Sequence, residues 1–400
     1  MNILVINAGS STLKCQLVDA NKKASLMKAL AEHIGSPDAV LTISGHKQIS
    51  IKNASIDTAL EHILEYLNDG QDSPIHSLSD INAIGHRIVS GGEYFTESVL
   101  VDEEVIRKVD LCSELAPLHN PNAVICIRAC QKLFPRIPQA LVFDTAFHHT
   151  MPPKAYMYPL PMRYYTDYAI RRYGAHGTSH RYAAQQAANL IGRRITDLGI
   201  ITCHLGNGGS IAAVSNGKSV DTTMGFTPLE GLMMGTRSGS IDPAIVTYIM
   251  RKENLSYKQM DDVLNRQSGL LGISGISSDM RTIIDAAHQG NKNAELAIDM
   301  YAYAVQKAIG AYFAVLNRVD AVVMTAGIGE NSAELREIIF DRLAHLGMIL
   351  DRQKNNMTSD LGSDRIVSID DSPIKICIVT TDEELRIARE TAALIESLNK

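Results

Sequence analysis

The chain has 400 residues, of which 45% are hydrophobic and 20% charged, and carries a formal net charge of -6. That length accommodates two domains with full cores and the composition is that of an ordinary soluble globular protein; with no long basic run there is no electrostatic footprint for nucleic acid or an anionic membrane, which favours small-molecule ligands. The start, "MNILVINAGS", lacks a basic leader, and nowhere do about 18 apolar residues run together, so a cytoplasmic protein with no membrane partner is expected. Six cysteines (Cys15, Cys112, Cys126, Cys130, Cys203 and Cys377) sit in apolar runs without CxxC pairs, the pattern of small core residues rather than of a disulfide framework or zinc site.

In chain order, "MNILVINAGSSTLKCQLVD" reads as a buried strand, a Gly-Ser turn and a second strand with Leu13, Cys15 and Leu17 on one face. "DINAIGHRIVSGG" and "QALVFDTAF" add further strand signals, and Asn120-Pro121 opens a helix as N-cap and first helical residue. A domain junction is expected near the proline-rich "HHTMPPKAYMYPLP". "TSHRYAAQQAANLIGR" then reads as a helix starting near Thr178 or Ser179, both good N-cap types. "DLGIITCHLGNGGSIAAVSNGKSVDTT" repeats the plan of the first segment, with an apolar run to Cys203, a glycine-rich tip from His204 to Ser210 and a second apolar run, which points to an internal duplication. Asp242-Pro243 marks another helix start, and "RVDAVVMTAGIGENSAELREIIF" continues with strand and helix signals; together the alternation gives mixed α/β layers.

Within "YGAHGTSH" two histidines lie four residues apart, a spacing that on a helix would put both rings on one face, as in a metal site. Gly174 and Gly177 disfavour a helix through His176, so this residue is expected just ahead of a helix N-terminus, in a place suited to an anion or simply bonded to a nearby carbonyl. Three glycine-rich tips follow apolar runs, "NAGSSTLK" (7–14), "HLGNGGS" (204–210) and "AGIGENS" (326–332). Successive N–H groups at such tips form nests for phosphate oxygens, although the spacing is neither that of a P-loop nor of a dinucleotide fingerprint. Arg87 in "GHRIVSGG" and Arg237 in "MMGTRSGSIDP" have small neighbours, which leaves each guanidinium either to fork onto a carboxylate or phosphate or to lie solvated. Asp144 ending "LVFD", and Glu383 with Glu384 in "TTDEEL", stand after strands as magnesium ligands or as capping acids.

In order along the chain, "NAGSSTLK", "GHRIVSGGE", "FDTAFH", "RRYGAHGTSHRY", "CHLGNGGS", "TPLEGLMMGTRSGSIDP", "GIGEN" and "TDEELRIARET" closely resemble the acetate and propionate kinase family. The resemblance implies an α/β fold of duplicated ribonuclease-H-like domains, of the actin, Hsp70 and sugar kinase superfamily, flanking a nucleotide cleft. The expected division is 1–150 and 151–383, with a C-terminal helix at about 384–400 returning to the first domain. It implies reversible phosphoryl transfer from ATP to a short-chain carboxylate, giving acyl phosphate and ADP, with Mg2+ or Mn2+ and a homodimer. Carried over by position, Asp144, His176 and Arg237 are catalytic, and Arg87, Val89, Leu118, Ala175 and Pro228 bind the carboxylate. The nucleotide falls to Lys14, to His204, Leu205, Gly206, Asn207 and Gly208, to Asp279, Met280 and Arg281, and to Gly327, Ile328, Gly329, Glu330 and Asn331. Asn7 and Glu383 serve the metal.

Four positions depart from the family pattern: Thr12 for serine, Cys15 for an aromatic, Asp382 for asparagine, and Ala175 for a phenylalanine that packs against the substrate's alkyl end. Loss of that ring either widens the pocket toward propionate and butyrate or is made good by a neighbour such as Met162 or a tyrosine of "RYYTDYAIRRY". A sugar or polyol kinase would need a carboxylate base where Arg87 is expected, a non-catalytic nucleotide switch would have no use for His176 and Arg237, and a nucleophile-elbow hydrolase lacks its G-x-S-x-G.

Overall fold

The apolar run Asn2–Ala8 (β1) turns back at the Gly-Ser tip into Leu13–Asp19 (β2), antiparallel with Leu4 opposite Leu17, as the alternation requires. The computed structural model describes residues 1–9, 11–44, 48–69, 73–117, 119–357 and 362–398; Leu118, expected at the substrate, lies outside the described residues. It separates into two compact units, Met1–Phe147 with Asp382–Lys400, and His148–Thr381.

In the first unit the hairpin is extended by Ala24–Glu32 (β3), Val40–Ile43 (β4) and Ile49–Ser50 (β5), and on the other side by Ile81–Ile88 (β6), Val99–Leu100 (β7) and Gln139–Phe143 (β8), in the order β5-β4-β3-β2-β1-β6-β8-β7. β1, β6 and β8 run parallel, and the wholly buried β8 is apolar in four of its five residues, as a strand covered on both faces must be. The helices Ile56–Asp69 and Asn120–Leu133 cover one face, where Leu60, Ile63, Cys126 and Cys130 meet Leu4, Ile6, Leu13 and Leu17. The C-terminal helix Glu383–Leu398 covers the other through Ile387, Ala388, Ala392 and Ile395 against Ile3, Val5, Ala83 and Val142. Burying that apolar stripe brings the end of the chain back to the first unit.

The second unit repeats the plan. Gly199–Leu205 (β9) and Gly209–Ser215 (β10) form the hairpin, Lys218–Thr222 (β11) extends it, and Ala321–Thr325 (β12), Arg365–Ile366 (β13) and Lys375–Ile378 (β14) complete the order β11-β10-β9-β12-β14-β13. β9 is antiparallel to β10 and parallel to β12, which is parallel to β14. The series β3-β2-β1-β6-β8 and β11-β10-β9-β12-β14 are therefore the same duplicated, ribonuclease-H-like arrangement. Here the helix Lys292–Leu316 fills one face with Ala297, Tyr301, Val305 and Ile309, while the helix Gly177–Ile191 packs against β9 with Ala183, Ala184, Ala187 and Ala188 buried. All six cysteines are buried free thiols.

Three local expectations need correction. The helix expected from Thr178 or Ser179 begins at Gly177, with His176 as its cap at φ 56°, a left-handed conformation that a non-glycine residue seldom adopts. Asn120 is the first helical residue rather than the cap, which is His119. The tip expected at 326–332 is mostly helical, Ala326–Asn331, for a reason that lies in Arg336 below.

Candidate active site

In the first unit, Asn7 lies near the end of β1, Arg87 near the end of β6, and Asp144 follows β8 directly, so the carboxyl ends of three neighbouring parallel strands carry the polar groups. That edge is where open α/β sheets bind ligands. Arg87 forks onto Asp144, donating from Nε to Oδ1 at 3.2 Å and from Nη2 to Oδ2 at 2.6 Å. Its remaining edge, Nη1, points at Asn7 Oδ1 (3.4 Å) and Glu383 Oε2 (3.8 Å). Asp144 is only 1% exposed. Burial opposes the charge on Arg87, but the carboxylates of Asp144, Glu383 and Glu384 outweigh it and drive the guanidinium pKa above its ordinary value. One cation thus faces an excess of hard oxygen donors. Among the described residues no group of three or more His, Cys, Asp or Glu side chains forms a ready metal cage.

In the second unit, Arg237 is half-buried and donates from Nη1 to the carbonyl of Pro228 at 2.8 Å. Burial lowers its pKa, and among the described residues no carboxylate lies within ion-pair distance of it. Gly208 runs close beside it: a Cβ there would stand 3.0 Å from Arg237 Nη2 and 3.6 Å from His176 Nε2, so the guanidinium and the imidazole both border this glycine and a side chain there would crowd the guanidinium. His176 is half-buried at the head of its helix, stacked on His204 with ring centroids 4.1 Å apart, and its Nδ1 meets Ser210 Oγ at 2.8 Å. An unpaired guanidinium, an imidazole and a helix N-terminus together suit an anion.

A cavity of about 750 Å3 in the same unit is lined by Gly206 and Asn207 of the β9–β10 tip, by Asp279, Met280 and Arg281, and by Gly327, Ile328 and Asn331. Asp279 caps the helix Met280–His288 and pairs with Arg281 (Oδ2 to Nη2, 2.7 Å). The other residues expected at the nucleotide do not line this cavity. Leu205 and Gly329 are buried, His204 is stacked on His176, and Glu330 accepts from the Thr381 N–H at 2.8 Å. Lys14, exposed, lies opposite Asn7 in the first unit.

Val89 is half-buried just past β6, and Ala175, 2% exposed, packs with Met224 and Met234. Met162 is 61% exposed and does not fill the place of the missing ring. Several supporting residues escape sequence reasoning. The imidazoles of His176 and His180 converge after all, not on a metal but on the hydroxyl of Ser210, 2.8 Å from each. Arg336 is buried and donates to the carbonyls of Gly329 (2.8 Å) and Glu330 (2.9 Å), so it supplies the C-terminal cap that lets a glycine-rich stretch stay helical. Its place in the buried stripe Leu335, Arg336, Ile339 and Phe340 is the signal that could have found it. Arg172 ties Glu230 (2.7 Å) to the carbonyls of Thr222, Thr223 and Met224, and Tyr158 donates to the same carboxylate.

Comparison with known proteins agrees over the whole chain. The acetokinase family model matches residues 2–389. The chain is 52% identical over 403 aligned residues to the acetate kinase of Caldanaerobacter subterraneus subsp. tengcongensis, covering 100% of both. It superposes on the crystal structure of Porphyromonas gingivalis acetate kinase with a TM-score of 0.93 at 41% identity, over 98% of this chain and 99% of that one. A propionate kinase from Francisella tularensis subsp. tularensis gives a TM-score of 0.92 at 42% identity, again over 98% and 99%. With its full length matched and its duplicated fold in common with these enzymes, the chain belongs to the acetokinase family.

Proposed function

We propose that the protein transfers the γ-phosphoryl group of ATP to acetate, reversibly, giving acetyl phosphate and ADP. The observation that carries this reading is the approach of Arg237 Nη2 and His176 Nε2 to Gly208, with no acid within ion-pair distance of the guanidinium among the described residues. Acetate is preferred as acceptor because the full-length relative at 52% identity is an acetate kinase; the similarity to a propionate kinase structure makes propionate the second substrate to test.

A carboxylate is already ionised at neutral pH, so the nucleophile needs no base, and the barrier is the approach of one anion to another. A carboxylate oxygen attacks the γ-phosphorus in line and the β–γ bridging oxygen leaves with ADP. Charge spreads over the three equatorial oxygens, where Arg237 and His176 donate. Arg87 holds the acetate carboxylate through its Nη1 edge, and Asp144, occupying the other edge, orients Arg87 rather than taking a proton. Val89 and Pro228 serve the alkyl end, with Ala175 behind them against Met224 and Met234. Adenosine occupies the cavity at Asp279–Arg281, Gly327, Ile328 and Asn331, and Lys14 serves the phosphates.

The hard oxygens of Asn7, Asp144 and Glu383, in acidic excess over Arg87, fit Mg2+ or Mn2+, which takes only one or two carboxylates when phosphates and water supply the rest. A metal held by these residues would neutralise nucleotide phosphate charge. Among the described residues no helix is long and apolar enough to cross a membrane, in keeping with a cytoplasmic enzyme. Exposed apolar side chains on the helices Pro243–Glu253 and Lys292–Leu316, among them Tyr248, Leu296 and Tyr303, support a homodimer.

Trapping acyl phosphate with hydroxylamine, in mixtures of MgATP with acetate, propionate, butyrate or glycerol, tests the reading. Hydroxamate from the short acids supports it; phosphorylated glycerol with no hydroxamate overturns it.

A further inference from the structure

We infer that a one-way hydrogen-bond chain, Thr202 to His180 to Ser210 to His176, fixes His176 as the neutral tautomer with its proton on Nε2, and that Thr202, His180 and Ser210 are positioning residues for the reaction. The inference deepens the proposed function and rests on its assignment of His176 to the transferring phosphoryl group.

The direction follows from counting protons. Thr202, His180 and Ser210 are all fully buried. The Thr202 hydroxyl has one proton and two neighbours, His180 Nδ1 at 2.7 Å and the carbonyl of Ala212 at 3.5 Å. The second distance is at the edge of a hydrogen bond, so the proton goes to the imidazole. His180 Nδ1 therefore accepts, and a neutral imidazole that accepts at one nitrogen carries its proton on the other. His180 Nε2–H then donates to Ser210 Oγ at 2.8 Å. Ser210 Oγ has one further partner, His176 Nδ1 at 2.8 Å, and its own proton goes there. With Nδ1 accepting, neutral His176 presents Nε2–H beside Arg237 Nη2 at Gly208.

The environment keeps the chain in this state. Burial, with His148 and His204 nearby, pushes the His180 pKa well below its ordinary value, so the ring stays neutral and keeps one donor and one acceptor. A second buried histidine shows the same logic: His148 Nε2 meets the Ala175 carbonyl at 2.9 Å, where it must donate, leaving Nδ1 to accept from Ser219. His176 thus enters the reaction as a fixed, uncharged hydrogen-bond donor. A carboxylate nucleophile requires no more of it, and a preorganised donor pays no reorientation during transfer.

Long-range proton–nitrogen correlation spectra of the full-length protein, labelled with nitrogen-15 histidine and free of substrate, read the tautomer directly, with His176→Gln assigning its signals. The expected result at neutral pH is a His176 protonated on Nε2 alone. A ring protonated on Nδ1, or on both nitrogens, overturns the inference. Ser210→Ala should leave His176 as a mixture of tautomers and lower kcat by about tenfold or more, the worth of one buried hydrogen bond, with KM for MgATP and acetate within about twofold. Wild-type kcat in that variant also overturns the inference; should the variant fail to fold, the wild-type spectrum still decides. A wild-type protein that shows the Nε2 tautomer yet makes no acetyl phosphate removes the proposed function and leaves the chain standing, whereas acetyl phosphate formation with an Nδ1 tautomer does the reverse.

Discussion

The guanidinium of Arg87 and the carboxylate of Asp144 meet edge to edge, through Nε–Oδ1 at 3.2 Å and Nη2–Oδ2 at 2.6 Å. A planar fork held on one side leaves the other side fixed in direction, which a lysine cannot reproduce. Arg87→Lys should therefore behave like Arg87→Ala, raising KM for acetate by about tenfold or more while KM for ATP stays close to wild type. Steady-state kinetics with each substrate varied separately checks this, and restoration of the acetate KM by lysine would show that charge alone suffices.

Arg237 has no acid partner among the described residues and reaches the same point as His176. Arg237→Ala should lower kcat by roughly 10³-fold, the worth of an arginine acting on transferring phosphoryl charge. Calorimetric binding of the nucleotide should change only a few-fold. A near-normal kcat would make Arg237 a loop residue.

Glu383 Oε2 lies 3.8 Å from Arg87 Nη1 at the start of the C-terminal helix. Glu383→Gln keeps the shape and removes one charge, so the Mg2+ concentration for half-maximal rate should rise several-fold with an unchanged melting temperature. A wild-type metal titration curve would take Glu383 out of the metal site.

Ala175 is buried against Met224 and Met234 rather than lining open space. Ala175→Phe must push those side chains aside, and overpacking of that kind costs about 1–3 kcal/mol. The variant should melt lower than wild type while the order of kcat/KM for acetate, propionate and butyrate is unchanged. A stable variant that turns sharply toward acetate would show that the wild-type pocket is wide.

Burial lowers the pKa of both His86 and His148 from 6.5 to about 4. Between these values the unfolded chain binds more protons than the folded one, so stability is full above pH 6.5 and is lost as pH falls toward 4. Each histidine adds a slope of up to about 1.4 kcal/mol per pH unit in that window. Melting temperatures measured across it should fall steeply for the wild type and less steeply for His86→Leu, whatever its stability at high pH. Equal slopes would show that His86 is not protonated differently on unfolding.

Much of the fold is legible in the sequence because its strands are near-continuous apolar runs whose tips carry glycine, and the likeness of residues 1–19 to 197–223 exposes the duplication. What escapes depends on register. Ser210 joins His176 to His180 only because β10 pairs with β9 so that Ser210 lies opposite His204, and no local pattern carries that information. The stretch 326–331 has the composition of a loop yet is helical, since a buried arginine several residues later takes its terminal carbonyls. His176 is expected ahead of a helix and caps one, but its left-handed backbone carries no sequence signal, and Gly174 two residues earlier packs against His148 and Thr222, contacts between segments far apart in the chain.

Phosphorus NMR of the protein with MgATP and oxygen-18-labelled acetate tests the central claim most directly. Attack by the carboxylate on the γ-phosphorus gives acetyl phosphate and ADP in equal amounts, with the label in the oxygen that bridges carbon and phosphorus. Unlabelled inorganic phosphate as the sole product beside ADP, released at a rate indifferent to acetate, would contradict it.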